Sequence, residues 1–158
     1  MKIRKATAAD IPFMIELDRA SATSAHWTEP QYRNLLRPER LVLVASREQE
    51  PAATAIKEPL LGFVVALQVA PEWELENVVV ASDARRTGVG MRLLEALFDA
   101  ARKTNSEAVF LEVRESNHAA RLLYEKSGFV QSGRRKSYYS NPLEDAVLYR
   151  LVLTKPFS

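Results

Sequence analysis

Apolar side chains along this 158-residue chain alternate between two spacings, every second residue and every third or fourth, and each switch marks a new element. Lys2 to Ala6 alternates polar and apolar positions and predicts a first strand. Thr7 then offers an N-cap with Asp10 in the first turn, and Ile11, Met14, Ile15 and Leu17 mark the buried stripe of a helix ending near Ala20. Thr28 and Gln31 have capping-box spacing around Pro30, so a second, shorter helix is predicted to about Arg37. Leu41 to Ser46 and Leu60 to Val69 are apolar strands, and the polar, proline-bearing stretch 48–59 between them predicts a long, flexible hairpin loop to which no chemistry is assigned. Glu72 to Val80 is a further strand. From Met91 to about Thr104, Leu93, Leu94, Leu97, Phe98 and Ala101 recur at helical spacing, and Asn105 is the stop. Ala108 to Val113 predicts a strand with Val109, Leu111 and Val113 on one face and Phe110, Glu112 and Arg114 on the other. Asn117 caps another helix, which closes at Ser127-Gly128, and Phe129–Tyr139 and Asp145–Leu153 form an antiparallel pair around Asn141-Pro142. A mixed α/β sheet with helices on both faces is the economical packing for this order, as one domain over residues 1–158.

The junction between the strand ending at Val80 and the long helix contains Arg85-Arg86-Thr87-Gly88-Val89-Gly90. Two glycines one residue apart let backbone approach a ligand, and the unpaired amides that open a helix carry the positive end of its dipole. An anion is the expected guest. No Lys-Ser or Lys-Thr follows the second glycine, and no third glycine completes a dinucleotide fingerprint, so the two better-known phosphate loops do not fit.

Composition narrows the chemistry. Nearly half the residues are hydrophobic, about a quarter are charged, and the net charge is +2, as in a folded globular chain. The short Arg134-Arg135-Lys136 cluster reads either as a solvated strand edge or as a contact for an acidic ligand or RNA, and direct nucleic-acid binding is not expected. With no cysteine, a thiolate nucleophile and a Cys-ligated metal are excluded. The only two histidines, His26 and His118, are far apart, so no metal is expected. No apolar stretch approaches the roughly 20 residues that span a bilayer, and a cytoplasmic protein without membrane contact is the expectation.

With these residues in view, the chain resembles the GCN5-related N-acetyltransferase (GNAT) family, whose phosphate loop reads Arg or Gln, two residues, Gly, any residue, Gly; Arg85 to Gly90 fills that pattern. Within the family it is most similar to the bacterial ribosomal-protein alanine N-acetyltransferases of the RimI type. The likeness rests on Leu111-Glu112-Val113-Arg114, Ser116-Asn117, Leu123-Tyr124-Glu125, Ser127-Gly128-Phe129, Tyr138-Tyr139 and Glu144-Asp145-Ala146, in order and at matching intervals. It covers Leu75 to Leu153 strongly. Met1 to Val69 matches only in element order and in His26-Trp27-Thr28, which stands where the family has Pro-Trp-Ser, and this departure bears on acceptor specificity.

The resemblance implies an α/β (α+β) fold with a mixed, mainly antiparallel seven-stranded sheet flanked by about four helices and splayed at its fourth and fifth strands. It implies acetyl-coenzyme A in the splay, its pyrophosphate on amides from Arg86 to Met91, with Asn117 nearby and Val78, Val79 and Val80 offering amides to the pantetheine arm or the thioester carbonyl. It assigns Glu112 as base and Tyr124 as acid in direct acetyl transfer to a protein N-terminal α-amine, possible acceptors including a ribosomal protein. Spacing agrees, since Asn117, Arg121 and Tyr124 share one helix face near the end of the strand carrying Glu112. A free phenol near pKa 10 lies only somewhat above a thiol near 8.5, so proton transfer between them needs no drastic shift.

Glu112 pairing with Arg114 or Arg121, and Tyr124 as plain packing, are the structural alternatives. Glu76 and Glu74 are rival bases, and His118 a weaker one. Trp27, Glu76, Arg135, Tyr138 and Tyr139 are the candidate acceptor groove; Trp27 is a groove wall or a plug between helices, and strand alternation lets at most one tyrosine of the pair face the acceptor. The rival functions are acetylation of a small-molecule amine or lysine, and a coenzyme A-binding module without turnover.

Overall fold

A computed structural model of the chain describes residues 1–47 and 60–153; the loop expected at 48–59 lies outside the described residues. One seven-stranded sheet is built from β1 (Lys2–Lys5), β2 (Arg40–Ser46), β3 (Gly62–Val69), β4 (Glu72–Val80), β5 (Ala108–Arg114), β6 (Val130–Tyr139) and β7 (Glu144–Val152). The helices are α1 (Ile11–Ala20), α2 (Glu29–Arg33), α3 (Val89–Lys103) and α4 (His118–Ser127), with 3-10 turns at Ala8–Asp10 and Ser82–Ala84. The sheet order is β1-β2-β3-β4-β5-β7-β6, antiparallel throughout except where β4 meets β5.

Local chemistry explains most of these boundaries. Thr28 caps α2 in the expected capping box, accepting from Gln31 N while Gln31 Oε1 accepts from Thr28 N. That helix stops at Arg33, shorter than predicted. Asn34 closes its last turn, and its one buried side chain, Tyr32, is all that anchors it. Gly128 ends α4 in the left-handed conformation (φ 108°) that glycine adopts without Cβ strain.

Two cores lie on opposite faces of the sheet. One joins Trp73, Leu75, Val109, Leu111, Val113, Val147 and Tyr149 to the apolar stripe of α3 and to Tyr124 and Phe129. The other joins Val42, Val44, Phe63, Val65 and Val79 to Ile11, Met14 and Ile15 of α1 and Tyr32 of α2. Fully burying each of the α3 side chains Leu93, Leu94 and Leu97 contributes about 1.5–3 kcal/mol before chain entropy is counted, so α3 is the main fastener of its face.

Two irregularities shape what lies between those cores. In β4, Val65 pairs with Asn77 while Ala66 pairs with Leu75, so Glu76 is an extra residue, a bulge. The bulge reverses the alternation: Trp73 and Leu75 face α3, as do Val78 and Val80 beyond it, whereas Asn77 and Val79 face the other way. Second, β4 and β5 pair only over Glu72↔Ala108, Trp73↔Val109 and Glu74↔Phe110, after which β5 pairs with β7 alone. The strands part there, leaving the edge of β4 from Leu75 to Val80 without a ladder on its β5 side.

Candidate active site

The parted strands create unpaired backbone at a defined place. Ala81 N donates to Leu61 O across β3 at 2.8 Å, so strand alternation sends the Val79 amide to β3 as well and leaves those of Val78 and Val80 pointing into the gap. Of the three amides assigned to a ligand, two are therefore available and Val79's is spent in the sheet.

Just beyond the gap, α3 opens with Gly88 as its N-cap in the left-handed region (φ 87°), and Arg86 also has positive φ (63°). Arg92 N makes the first helical bond, to Gly88 O at 3.1 Å, so Val89, Gly90 and Met91 present amides with no partner inside the helix. Thr87 Oγ1 donates to Ala84 O and pins the turn from below. Arg85 and Arg86 are exposed and make no ion pair among the described residues. The two glycines do different work. A Cβ on Gly88 would meet nothing within 4 Å, whereas one on Gly90 would lie 3.1 Å from Leu123 Cδ2 and 3.6 Å from Val80 Cγ2. Gly88 supplies the backbone conformation; Gly90 lets α3 close on α4 and β4.

Glu112 and Tyr124 lie on opposite faces of the sheet. Glu112 lies on the α1 side, 22% exposed and paired to Arg135 Nε at 3.1 Å, and its charge raises the pKa of the nearby Tyr138 hydroxyl. Neither expected alternative partner engages it. Arg114 instead binds Pro142 O and Ser140 O, and Arg121 binds the Tyr149 hydroxyl (3.1 Å) and Glu115 O (2.9 Å). Tyr124 lies on the α3 side, buried against Phe129 (ring centroids 5.7 Å apart) and Tyr149 (6.3 Å). Burial, and then the neighbouring Tyr139, raise its phenol well above the ordinary range. The phenol is thus a weaker acid than a free tyrosine side chain, and it stays protonated across neutral pH. Asn117 is the N-cap of α4, its Oδ1 accepting from Ala120 N at 3.2 Å, so that side chain is engaged by its own helix.

The rival carboxylates lie beside Glu112. Glu76, at the bulge, is held by Arg40 Nε at 2.8 Å. Glu74 has no ion-pair partner among the described residues, and burial, then Glu76, then Glu112 raise its carboxyl above the usual range. His118 is exposed at the start of α4.

Tyr138 and Tyr139 depart from the alternation expected of them. Between Arg135↔Ala146 and Tyr139↔Glu144 three β6 residues span a single β7 residue, and Ser137 takes positive φ (50°). The bulge breaks the two-residue period, so the two rings touch at 5.1 Å, and both hydroxyls feel the charge of Glu112. Arg135 lies over Tyr138 at 5.7 Å. In the same strand Arg134 is neutralised by Glu115 (2.8 Å) and Asp145 (3.1 Å), so the basic cluster is mostly spent within the fold.

Trp27 is half-buried and meets Tyr32 edge-on at 5.6 Å, packing on the α1 core while lining its rim. The same corner of the fold buries an acidic residue that hydrophobic spacing alone does not mark. Asp18 is 1% exposed; its carboxylate accepts from Tyr32 Oη at 2.5 Å, from His26 N at 3.1 Å and from Ser24 Oγ. The signal was present in the stripe Ile11, Met14, Ile15, Asp18, an acidic side chain at a core position. Asp18→Ala is expected to cost on the order of 3 kcal/mol in urea unfolding, since a buried tyrosine hydroxyl and a loop amide lose their acceptor. A loss below about 1 kcal/mol would mean that the loop finds other acceptors.

Residues 11–129 match the acetyltransferase (GNAT) family. The ribosomal protein bS18-alanine N-acetyltransferase of Escherichia coli K12 is 37% identical over 97 residues, 60% of this chain and 66% of that protein, so the match spans just under two thirds of the relative's length. The crystal structure of the E. coli ribosomal-protein-S18-alanine N-acetyltransferase superposes with a TM-score of 0.80 at 27% identity, covering 99% of this chain and 96% of that one. Arabidopsis thaliana NAA60 in complex with acetyl-CoA has the same fold, with a TM-score of 0.85 at 16% identity over 96% of this chain and 98% of its own.

Proposed function

The chain belongs to the acetyltransferase (GNAT) family, and from that premise we propose that it transfers acetyl from acetyl-coenzyme A to the N-terminal α-amine of a protein, a ribosomal protein being the first candidate. The observation that carries this reading is the gap itself, lined on one side by unpaired β4 amides and the open turn of α3, with Glu112 and Tyr124 on opposite faces of the sheet.

The residues present fit the cofactor. The amides of Val89 to Met91, the left-handed Gly88 and the exposed cations Arg85 and Arg86 would hold its pyrophosphate, and Val78 and Val80 would bind the arm that enters the gap. The bound cofactor supplies an activated acetyl thioester. Glu112 takes the proton from the incoming ammonium, directly or through water, and its pairing with Arg135 orients the carboxylate. The amide of Val78 or Val80 stabilises negative charge on the acetyl oxygen. Tyr124 keeps its proton for the departing sulfur.

An α-amine suits one carboxylate base. Its pKa near 7.7 to 8.0 leaves roughly a tenth or more neutral at pH 7, against on the order of a thousandth for lysine. Trp27, Tyr138, Tyr139 and Arg135 would form the walls that receive the acceptor on the α1 face. Incubation with acetyl-CoA and peptides beginning Ala, Ser or Met should place a single acetyl group on the first nitrogen by mass spectrometry. Acetylation confined to internal lysine would defeat the acceptor assignment, and coenzyme A binding without turnover would defeat the enzyme.

A further inference from the structure

Taking that acceptor reading as its basis, we propose that Asp145, Glu144 and Arg114 are positioning residues, a latch that holds the two-tyrosine acceptor wall in place and ties it to the start of α4. The β6 bulge leaves backbone without a strand partner, and Asp145 replaces that partner. Its Oδ1 accepts from Ser137 N at 2.8 Å and its Oδ2 from Arg134 Nη1 at 3.1 Å. One side chain thereby fixes the positive-φ residue just before Tyr138 and Tyr139, whose rings touch and whose hydroxyls both feel Glu112.

Arg114 works from β5. Its guanidinium lies 4.5 Å over the Tyr139 ring and donates to Ser140 O and Pro142 O, each at 3.2 Å, so it grips both the ring and the turn that follows. Glu144 completes the tie. It lies 3.7 Å from Arg114 Nη1 and accepts from Ser116 N (2.7 Å) and Ser116 Oγ (2.9 Å), one residue before the Asn117 cap of α4. Acceptor wall, base strand and α4 are thus joined by polar contacts at the rim of the gap, and none of the three side chains sits in a hydrophobic core. The ordinary pH range leaves the latch intact, because the contacts of Ser116 and of Ser137 with Arg134 lower the Glu144 and Asp145 carboxyls respectively below their usual values. These residues include motifs that carry the family resemblance but that the transfer chemistry does not use.

A positioning role predicts a split in kinetic constants. Asp145→Ala should raise the KM for an acceptor peptide by about tenfold or more, with the KM for acetyl-CoA within about twofold and Tm within about 3 °C. Asp145→Asn keeps an oxygen for Ser137 N–H and should recover most of the loss, while Arg114→Lys, which keeps charge but loses the fork, should behave like Asp145→Ala. Amide hydrogen exchange of Ser137, Tyr138 and Tyr139 should accelerate in Asp145→Ala without any substrate present. Unchanged exchange overturns the latch whether or not peptides are turned over. A change in both KM values together with a fall in Tm also overturns it, in favour of a plain structural role. A wild-type chain that acetylates no peptide overturns the acceptor reading instead.

Discussion

Tyr124→Phe is expected to lower turnover by about 100-fold or more while leaving coenzyme A affinity within about twofold. The ring packs against Phe129 and Tyr149 in a buried position, and phenylalanine keeps that packing, so the substitution removes the hydroxyl and little else. In the proposed mechanism the hydroxyl is needed with its proton on. Burial and Tyr139 raise its pKa, so the alkaline loss of activity that an ordinary phenol would cause near pH 10 moves to higher pH. Wild-type kcat/KM for a peptide should therefore climb through the acceptor amine's range near pH 8 and hold to at least about pH 9.5. Single-turnover rates and coenzyme A titrations of the two proteins measure the effect. An unchanged rate in Tyr124→Phe would remove the residue from the mechanism, and a falling limb centred below about pH 9 would contradict the raised phenol.

Gly62→Ala should damage both stability and cofactor binding, though Gly62 lies outside the gap. A Cβ there would fall 2.6 Å from Val79 O and 3.3 Å from Val80 Cα and Leu93 Cδ1. The nearest obstacle is backbone, so β3 and β4 must part rather than a side chain rotate. Overpacking of this kind costs about 1–3 kcal/mol, and the strand that moves carries the amides of Val78 and Val80. Coenzyme A affinity should fall by about tenfold or more, since 1.4 kcal/mol corresponds to a factor of ten. Urea unfolding and calorimetric titration read the two effects separately. Lost stability with unaltered affinity would mean that the β4 edge does not contact the ligand.

Gly62 illustrates what pattern reading passes over. In sequence it is one glycine inside an apolar run, and its constraint comes from a carbonyl on a different strand. Asp18 was partly legible, as an acidic side chain on the buried stripe of α1, but its partners Tyr32 and His26 come from the next helix and the loop before it. The two tyrosines show the opposite difficulty. Their motif was visible, yet alternation did not foresee that the two rings touch, because a bulge held by Asp145 from the neighbouring strand overrides the two-residue period.

Element order, the seven strands and the glycine turn were determined by the sequence alone, because hydrophobic spacing, Thr28, Asn117 and Gly128 act within a few residues of chain. The family motifs, also local in sequence, carried the expectation of a splayed sheet. Tertiary structure alone decided how the gap is furnished. The Glu76 bulge reverses the faces of β4, the Val79 amide is spent on β3, and Arg135 rather than Arg114 or Arg121 pairs with Glu112. Those outcomes depend on which strands pair and in what register, a matter of contacts between residues far apart in sequence, and local pattern carries no record of them.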